Sequence, residues 1–397
     1  MADKVYSKSR LFFQFLNQEV PDYERDDTEK KRYSTKIRGR ADKLLRALYK
    51  DIGALADLLP KIVVTNKFKG RHKGAIRTLS HISEALAVFV RNKELVYWLE
   101  ETDLKPVLKL SKNKTSRLNI LCGMPKNLGS LLYKDLWSKK IPIVLISGTL
   151  SAAGSFEHIK KKSGLSFVPV ERLAETIKPS LFDYKRNVIL YVSENIPFPK
   201  NTNQDYIDAV TAEVEKLIAA ANGHTAILFT SYKAMDLVHE RITALDLPYP
   251  IFRLERGGTA ALEQYKQSVN GVLFGAGALW EGVDIPGDVL SMLIIVRLPF
   301  AVPDPLSEWE KTLYADINEY KEKVVVPEML IKLKQGFGRL MRLETDTGVV
   351  AILDCRTGKK GAYRNAVLET FPKCQVTSDI KEVSRFIKTK KPSDYFK

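Results

Sequence analysis

Near the C-terminal end of the 397-residue chain, Gln335-Gly336-Phe337-Gly338-Arg339-Leu340-Met341-Arg342 joins an amide, two glycines and two arginines. The segment follows an apolar-periodic stretch and precedes a strand-like run, Gly348 to Leu353. On a helix, arginines at i and i+3 share one face. Glycine lets a backbone or a phosphate come close. Two planar, permanently charged guanidinium forks suit the charge that develops on a transferring phosphoryl group. An Arg-x-x-Arg pair alone also reads as a basic surface helix. The glutamine-glycine prefix and the segments upstream favour phosphate chemistry.

Those segments are strands that run into small-residue loops. Gly271-Val272-Leu273-Phe274 leads into Gly275 through Asp288, a stretch holding Trp280, Glu281, Gly282, Asp284 and a Pro-Gly pair. Such punctuation makes a structured loop, and open α/β sheets bind ligands at the carboxyl ends of their strands. Ile143 to Ile146 runs into Ser147-Gly148-Thr149-Leu150-Ser151. Ala226 to Phe229 runs into Thr230-Ser231-Tyr232. Thr and Ser there are also favoured helix N-caps.

Taken in order, these segments resemble superfamily-2 helicases of the DinG/XPD branch. Gln335 to Arg342 resembles the last motif, Gln-Gly-x-Gly-Arg-x-x-Arg, which supplies arginine fingers to ATP. The loop at 275–288 resembles the fifth motif, which touches both nucleotide and nucleic acid. Ser147 to Ser151 resembles the third, and Thr230 to Tyr232 the fourth. Leu181-Phe182-Asp183-Tyr184 resembles a family linker in which Leu181 replaces a proline. The resemblance covers about half of the chain. It implies an ATP-dependent DNA helicase in which Arg339, Arg342 and Gln335 serve catalysis. Glu281, Gly282, Asp284, Gly336 and Gly338 would face the nucleotide. Ser147, Thr149, Thr230, Ser231 and Tyr232 would contact single-stranded DNA.

The phosphate cradle Gly-x-x-x-x-Gly-Lys-[Ser/Thr] does not occur in the chain; Gly70-Arg71-His72-Lys73-Gly74 has the wrong spacing. An Asp-Glu-x-His metal box does not occur either. In the family both precede every motif found here. The resemblance therefore implies the C-terminal half of a helicase, inactive alone, that shares ATP and Mg²⁺ with an N-terminal RecA-like partner half. The alternatives are a non-catalytic nucleic-acid-binding protein and a scaffold that docks other proteins through its N-terminal helices.

Composition bounds these readings. The net charge is +16, from 63 Lys plus Arg against 47 Asp plus Glu, which suits a polyanionic partner. Runs such as Lys67 to Lys73, Lys160-Lys161-Lys162 and Lys388 to Lys391 also fit solvated faces. Apolar residues make up 45% of the chain, and no run approaches the roughly 18 needed for a membrane span. Met1-Ala2-Asp3-Lys4 does not open a signal peptide, so a cytoplasmic protein is expected. Cys122, Cys355 and Cys374 are too scattered for a disulfide framework or a metal site, as are the five histidines. The family's iron–sulfur segment would lie outside this chain.

The expected fold is α/β. Residues 1–115 read as a helical, arch-like region, with Leu44, Leu48, Ile52, Leu55 and Leu59 at helical spacing and Pro60 as the stop. Ile76, Leu79, Ile82, Leu86 and Phe89 repeat the pattern. Residues 116–163 read as closing strands of a first RecA-like domain, at Leu118 to Cys122 and Ile143 to Ile146. Residues 164–397 read as a second RecA-like domain with a doubly wound, mainly parallel sheet.

Overall fold

The structure is a computed structural model. It describes residues 1–20, 32–91, 94–103, 117–152, 154–178, 180, 182–199, 203–255, 258–280, 284–285 and 287–396. They form two compact units: 1–139 with 162–167 and 302–319, and 140–161 with 168–301 and 320–397. No described helix is long and apolar enough to cross a membrane.

Among its described residues the first unit holds three long helices, α1 (Ala2–Gln18), α2 (Gly39–Leu58) and α3 (Lys69–Arg91). Ala41, Leu45, Leu48 and Ile52 recur at three- and four-residue spacing, so one stripe of α2 is buried. It packs with Phe12 and Leu16 of α1 and with Leu99. Lys8 Nζ reaches Asp51 Oδ2 at 2.5 Å and holds that carboxyl below its usual range. Pro60 sits in the short turn Leu59–Lys61, where α2 stops as the sequence predicts. α3 ends at Arg91, inside the region expected to be helical to about 115. Leu95–Asp103 is strand β2, paired antiparallel with β1 (Arg32–Ser34) and β3 (Arg117–Pro125). Leu95 to Leu99 is uniformly apolar or aromatic, so its partners decide its state, and periodicity does not reveal them. The expected strand at Leu118 to Cys122 exists, but in this antiparallel sheet.

The second unit is built on seven strands in the order β10-β4-β9-β8-β5-β7-β6, every neighbouring pair parallel. These are β4 (Val188–Val192), β5 (Thr225–Phe229), β6 (Ile251–Arg253), β7 (Val272–Ala276), β8 (Met292–Ile295), β9 (Gly348–Ile352) and β10 (Gln375–Thr377). The six strand-like apolar runs of the sequence here, at 187–192, 226–229, 250–253, 272–274, 290–296 and 349–353, are all present as strands, and β10 joins them at an edge. Strand residues alternate between two cores. Ile189 and Tyr191 face one, with Val210 and Val214 of α4 (Gln204–Ala220), Met235 and Val238 of α5 (Tyr232–Ala244), and Ile387. Val188, Leu190 and Val192 face the other, with Tyr265, Trp280, and Leu330 and Leu333 of α6 (Val326–Phe337). Burial on both faces is why these strands read as continuous apolar runs. At the end of α4, Gly223 has φ +80, and a Cβ there would lie 2.0 Å from Asn270 O. Only glycine fits this closure.

Ile143 to Ile146 forms no strand among the described residues. Val144 is 79% exposed and Ile146 90%. A strand needs a neighbouring edge to satisfy its backbone, and this apolar run has none among the described residues.

Candidate functional site

The site is built around a buried indole. Trp280 is 1% exposed and lies in the short turn Gly277–Trp280 that follows β7. Its Nε1 donates to the Phe229 carbonyl at the end of β5, at 2.8 Å. The ring lies against α6, where a Cβ on Gly336 would come within 2.8 Å of it. Gly336 therefore lets helix and indole close together. Gly338 has no such neighbour: a Cβ there would meet only ordinary contacts, and its φ of −63 suits any residue. Lys332 Nζ stands 5.8 Å from the centre of the Trp280 ring.

The two arginines do not share a helix face. α6 ends at Phe337, and Arg339 and Arg342 lie in the turns beyond it. Leu340 and Met341 are 2% and 3% exposed and pull the chain into the core, which breaks helical spacing. Both side chains nevertheless reach the loop after β7. Arg339 Nη2 donates to the Trp280 carbonyl at 3.2 Å, and Arg342 Nε lies 3.0 Å from Asp284 Oδ1. Asp346 Oδ2 accepts from the Arg342 and Leu343 amides, each at 2.8 Å, and fixes the turn.

The amide of Gln335 faces the loop at 147–149. Its Nε2 lies 3.5 Å from Thr149 Oγ1, and that hydroxyl is 3.2 Å from Ser147 Oγ. The first contact is at the long limit for a hydrogen bond. His158 Nε2 lies 3.8 Å from Glu328 Oε1 of α6.

The cluster after β5 divides. Thr230 is exposed. Ser231 is the N-cap of α5, accepting from the Ala234 amide at 3.4 Å, and is nearly buried. Tyr232 packs against the core with its hydroxyl 3.4 Å from the Ala276 carbonyl, which it meets as donor. Glu281 and Gly282 lie outside the described residues.

The structure thus brings Thr149, Gln335, Arg339, Arg342 and Asp284 to the elements that surround Trp280. Two guanidinium groups and an amide, with hydroxyls alongside, form a donor set for phosphate oxygens. Among the described residues no group of three His, Cys, Asp or Glu could hold a metal ion. Sequence reasoning overlooked Trp280 as the residue that joins three of these segments. Its signal was a single large aromatic within a loop of small residues.

Residues 214–374 match the helicase C-terminal domain. Over 299 residues the chain is 32% identical to the ATP-dependent helicase DinG of Mycobacterium tuberculosis, spanning 74% of this chain and 43% of that protein. It is 32% identical over 282 residues to the ATP-dependent DNA helicase YoaA of Escherichia coli, spanning 69% and 42%. The chain therefore spans less than half the length of these relatives. The Bacillus subtilis protein named 3′-5′ exonuclease DinG is 31% identical over 265 residues, spanning 64% and 28%. Among solved structures, S. tokodaii Xpd4 shares the fold with a TM-score of 0.55 at 14% identity, covering 95% of this chain and 66% of that one. Apo XPD gives a TM-score of 0.53 at 17% identity, covering 94% and 69%.

Proposed function

We propose that this chain, which belongs with the C-terminal portion of DinG/XPD-like superfamily-2 helicases, binds single-stranded DNA and supplies arginine fingers to ATP held by a RecA-like partner half. The observation that carries this reading is the convergence of Gln335, Arg339 and Arg342 on the loops at Thr149 and Asp284. Magnesium-bound ATP supplies a γ-phosphate for in-line attack by water. Arg339 and Arg342 neutralise the charge that develops there, and fingers of this kind are worth about 10³–10⁵ in rate. Gln335 orients the attacking water or senses the phosphate. The Arg342–Asp284 and Arg339–Trp280 contacts tie that event to the loop after β7, which would also touch the strand being moved. Thr230 and the hydroxyls of Ser147 and Thr149 hold backbone phosphates. Mg²⁺ ligands would come from the partner half.

The exposed run Ile143 to Ile146 supports the partner half, because strand addition would cover its apolar side chains and satisfy its backbone. DNA binding is tested with the chain alone and a short polythymidine. Log K should fall linearly with log salt, by about 0.7 per phosphate neutralised. Binding undetectable at low salt would remove the nucleic-acid role and favour a scaffold.

A further inference from the structure

The first unit contains a helical hairpin whose tip carries cations and no acid. α2 stops at Leu58, two short turns at Leu59–Lys61 and Asn66–Phe68 reverse the chain, and α3 begins at Lys69. Between Asp57 and Glu84 the sequence contains no acid. Lys61, Lys67, Lys69, Arg71, Lys73 and Arg77 fall in that interval, and all are exposed. Lys69, Lys73 and Arg77 recur at every fourth position, so they line one face of α3 at about 6 Å per step. His81 continues the row.

This placement opposes the helix it sits on. The first turn of α3 carries no acid, although the free N–H groups there already act as roughly half a positive charge. Cations at that end weaken the helix, and a bound anion would relieve both the dipole and the side chains. Phe68 is 46% exposed at the tip, with Lys67 Nζ 5.9 Å from its ring centre. Gly70 and Gly74 have nothing within 4 Å of an added Cβ, so the surface beside the row is open.

We propose that this hairpin tip is a second nucleic-acid contact, in which Lys69, Lys73 and Arg77 take successive phosphates of a single strand and Phe68 stacks on a base. Backbone-tracking cations beside an aromatic platform are the general solution for single strands. An anionic membrane surface would instead draw on the apolar side chains exposed near the row, Ile62, Val63 and Ile82; the even four-residue spacing of the cations beside an exposed aromatic favours the regular phosphates of a strand. The inference goes beyond the function proposed above, because it uses none of the residues around Trp280.

The test is fluorescence anisotropy of labelled polythymidine against salt, with the full chain. The variants are Lys69→Glu/Lys73→Glu/Arg77→Glu, its Gln counterpart, and Phe68→Ala, each checked for helicity by circular dichroism. The charge reversal should lower affinity at least about tenfold at low salt and reduce the salt slope by about 2. Phe68→Ala should weaken binding about fivefold or more at every salt concentration, with the slope unchanged. If the unmodified chain binds and all three variants match it in affinity and slope, the hairpin takes no part and the site around Trp280 stands alone. If the unmodified chain does not bind, both readings fall. Charge-row-dependent binding to phosphatidylserine vesicles without binding to polythymidine would overturn the proposal in favour of a lipid surface.

Discussion

Arg339 and Arg342 lie in turns, and Arg339 is held by a residue that carries no charge. The Trp280 indole takes the Phe229 carbonyl, presses on Gly336 and offers its own carbonyl to Arg339. A methyl group at 336 has no room without displacing the ring or α6. Gly336→Ala should destabilise the second unit by about 1–3 kcal/mol, the usual cost of overpacking. Chemical denaturation measures this, and an unchanged midpoint would show that the indole yields freely. At this scale the sequence revealed residue identity better than geometry. The arginines and glutamine stood out by their chemistry, but the helix face expected from the arginine spacing does not form. The end of α6 was not, because burial of Leu340 and Met341 is a tertiary effect that overrides helical spacing.

At the scale of elements, six of seven parallel strands were legible, because burial on both faces leaves continuous apolar runs. The edge strand Gln375–Thr377 is short and half exposed, so it left no such run. The C-terminal segment covers the N-terminal ends of β5, β8 and β9. Tyr395 stacks on His224 with ring centres 3.8 Å apart, and its hydroxyl donates to the Ala221 carbonyl at 2.7 Å. Lys391 Nζ donates to Asp288 Oδ1 at 2.7 Å and to the Thr347 carbonyl at 2.6 Å. Burial lowers the His224 pKa below its ordinary value, against an opposing contribution from the Tyr395 carbonyl. Below about pH 6.5 the unfolded chain takes up a proton that folded His224 resists. Stability from this group is therefore complete above that pH and declines as pH falls. Denaturation midpoints should drop from pH 7.5 to 5.5 by less in His224→Phe than in the unmodified chain. His239, also depressed by burial, retains part of the dependence. An identical drop in both proteins would separate His224 from the acid response.

At the scale of the whole molecule, the proposed function divides the nucleotide chemistry between this chain and a RecA-like partner half. The apolar run at Ile143 to Ile146 should make the isolated chain prone to self-association, since exposed unpaired segments of this kind invite strand addition. Val144→Lys should reduce that association in sedimentation velocity and weaken capture of the partner half. If it leaves both unchanged, the run is not a docking edge. The most direct test of the account is DNA-stimulated ATP hydrolysis by the chain alone, by the chain with a phosphate-cradle-bearing partner half, and by the same pair carrying Arg339→Ala or Arg342→Ala. The account predicts turnover only in the pair, a loss of at least about 10² with either alanine variant, and DNA affinity within about twofold of the unmodified pair. Arg→Lys should fail nearly as badly, because an ammonium lacks the planar fork. Hydrolysis by the rigorously purified chain alone, or near-normal turnover by both alanine variants, would contradict it.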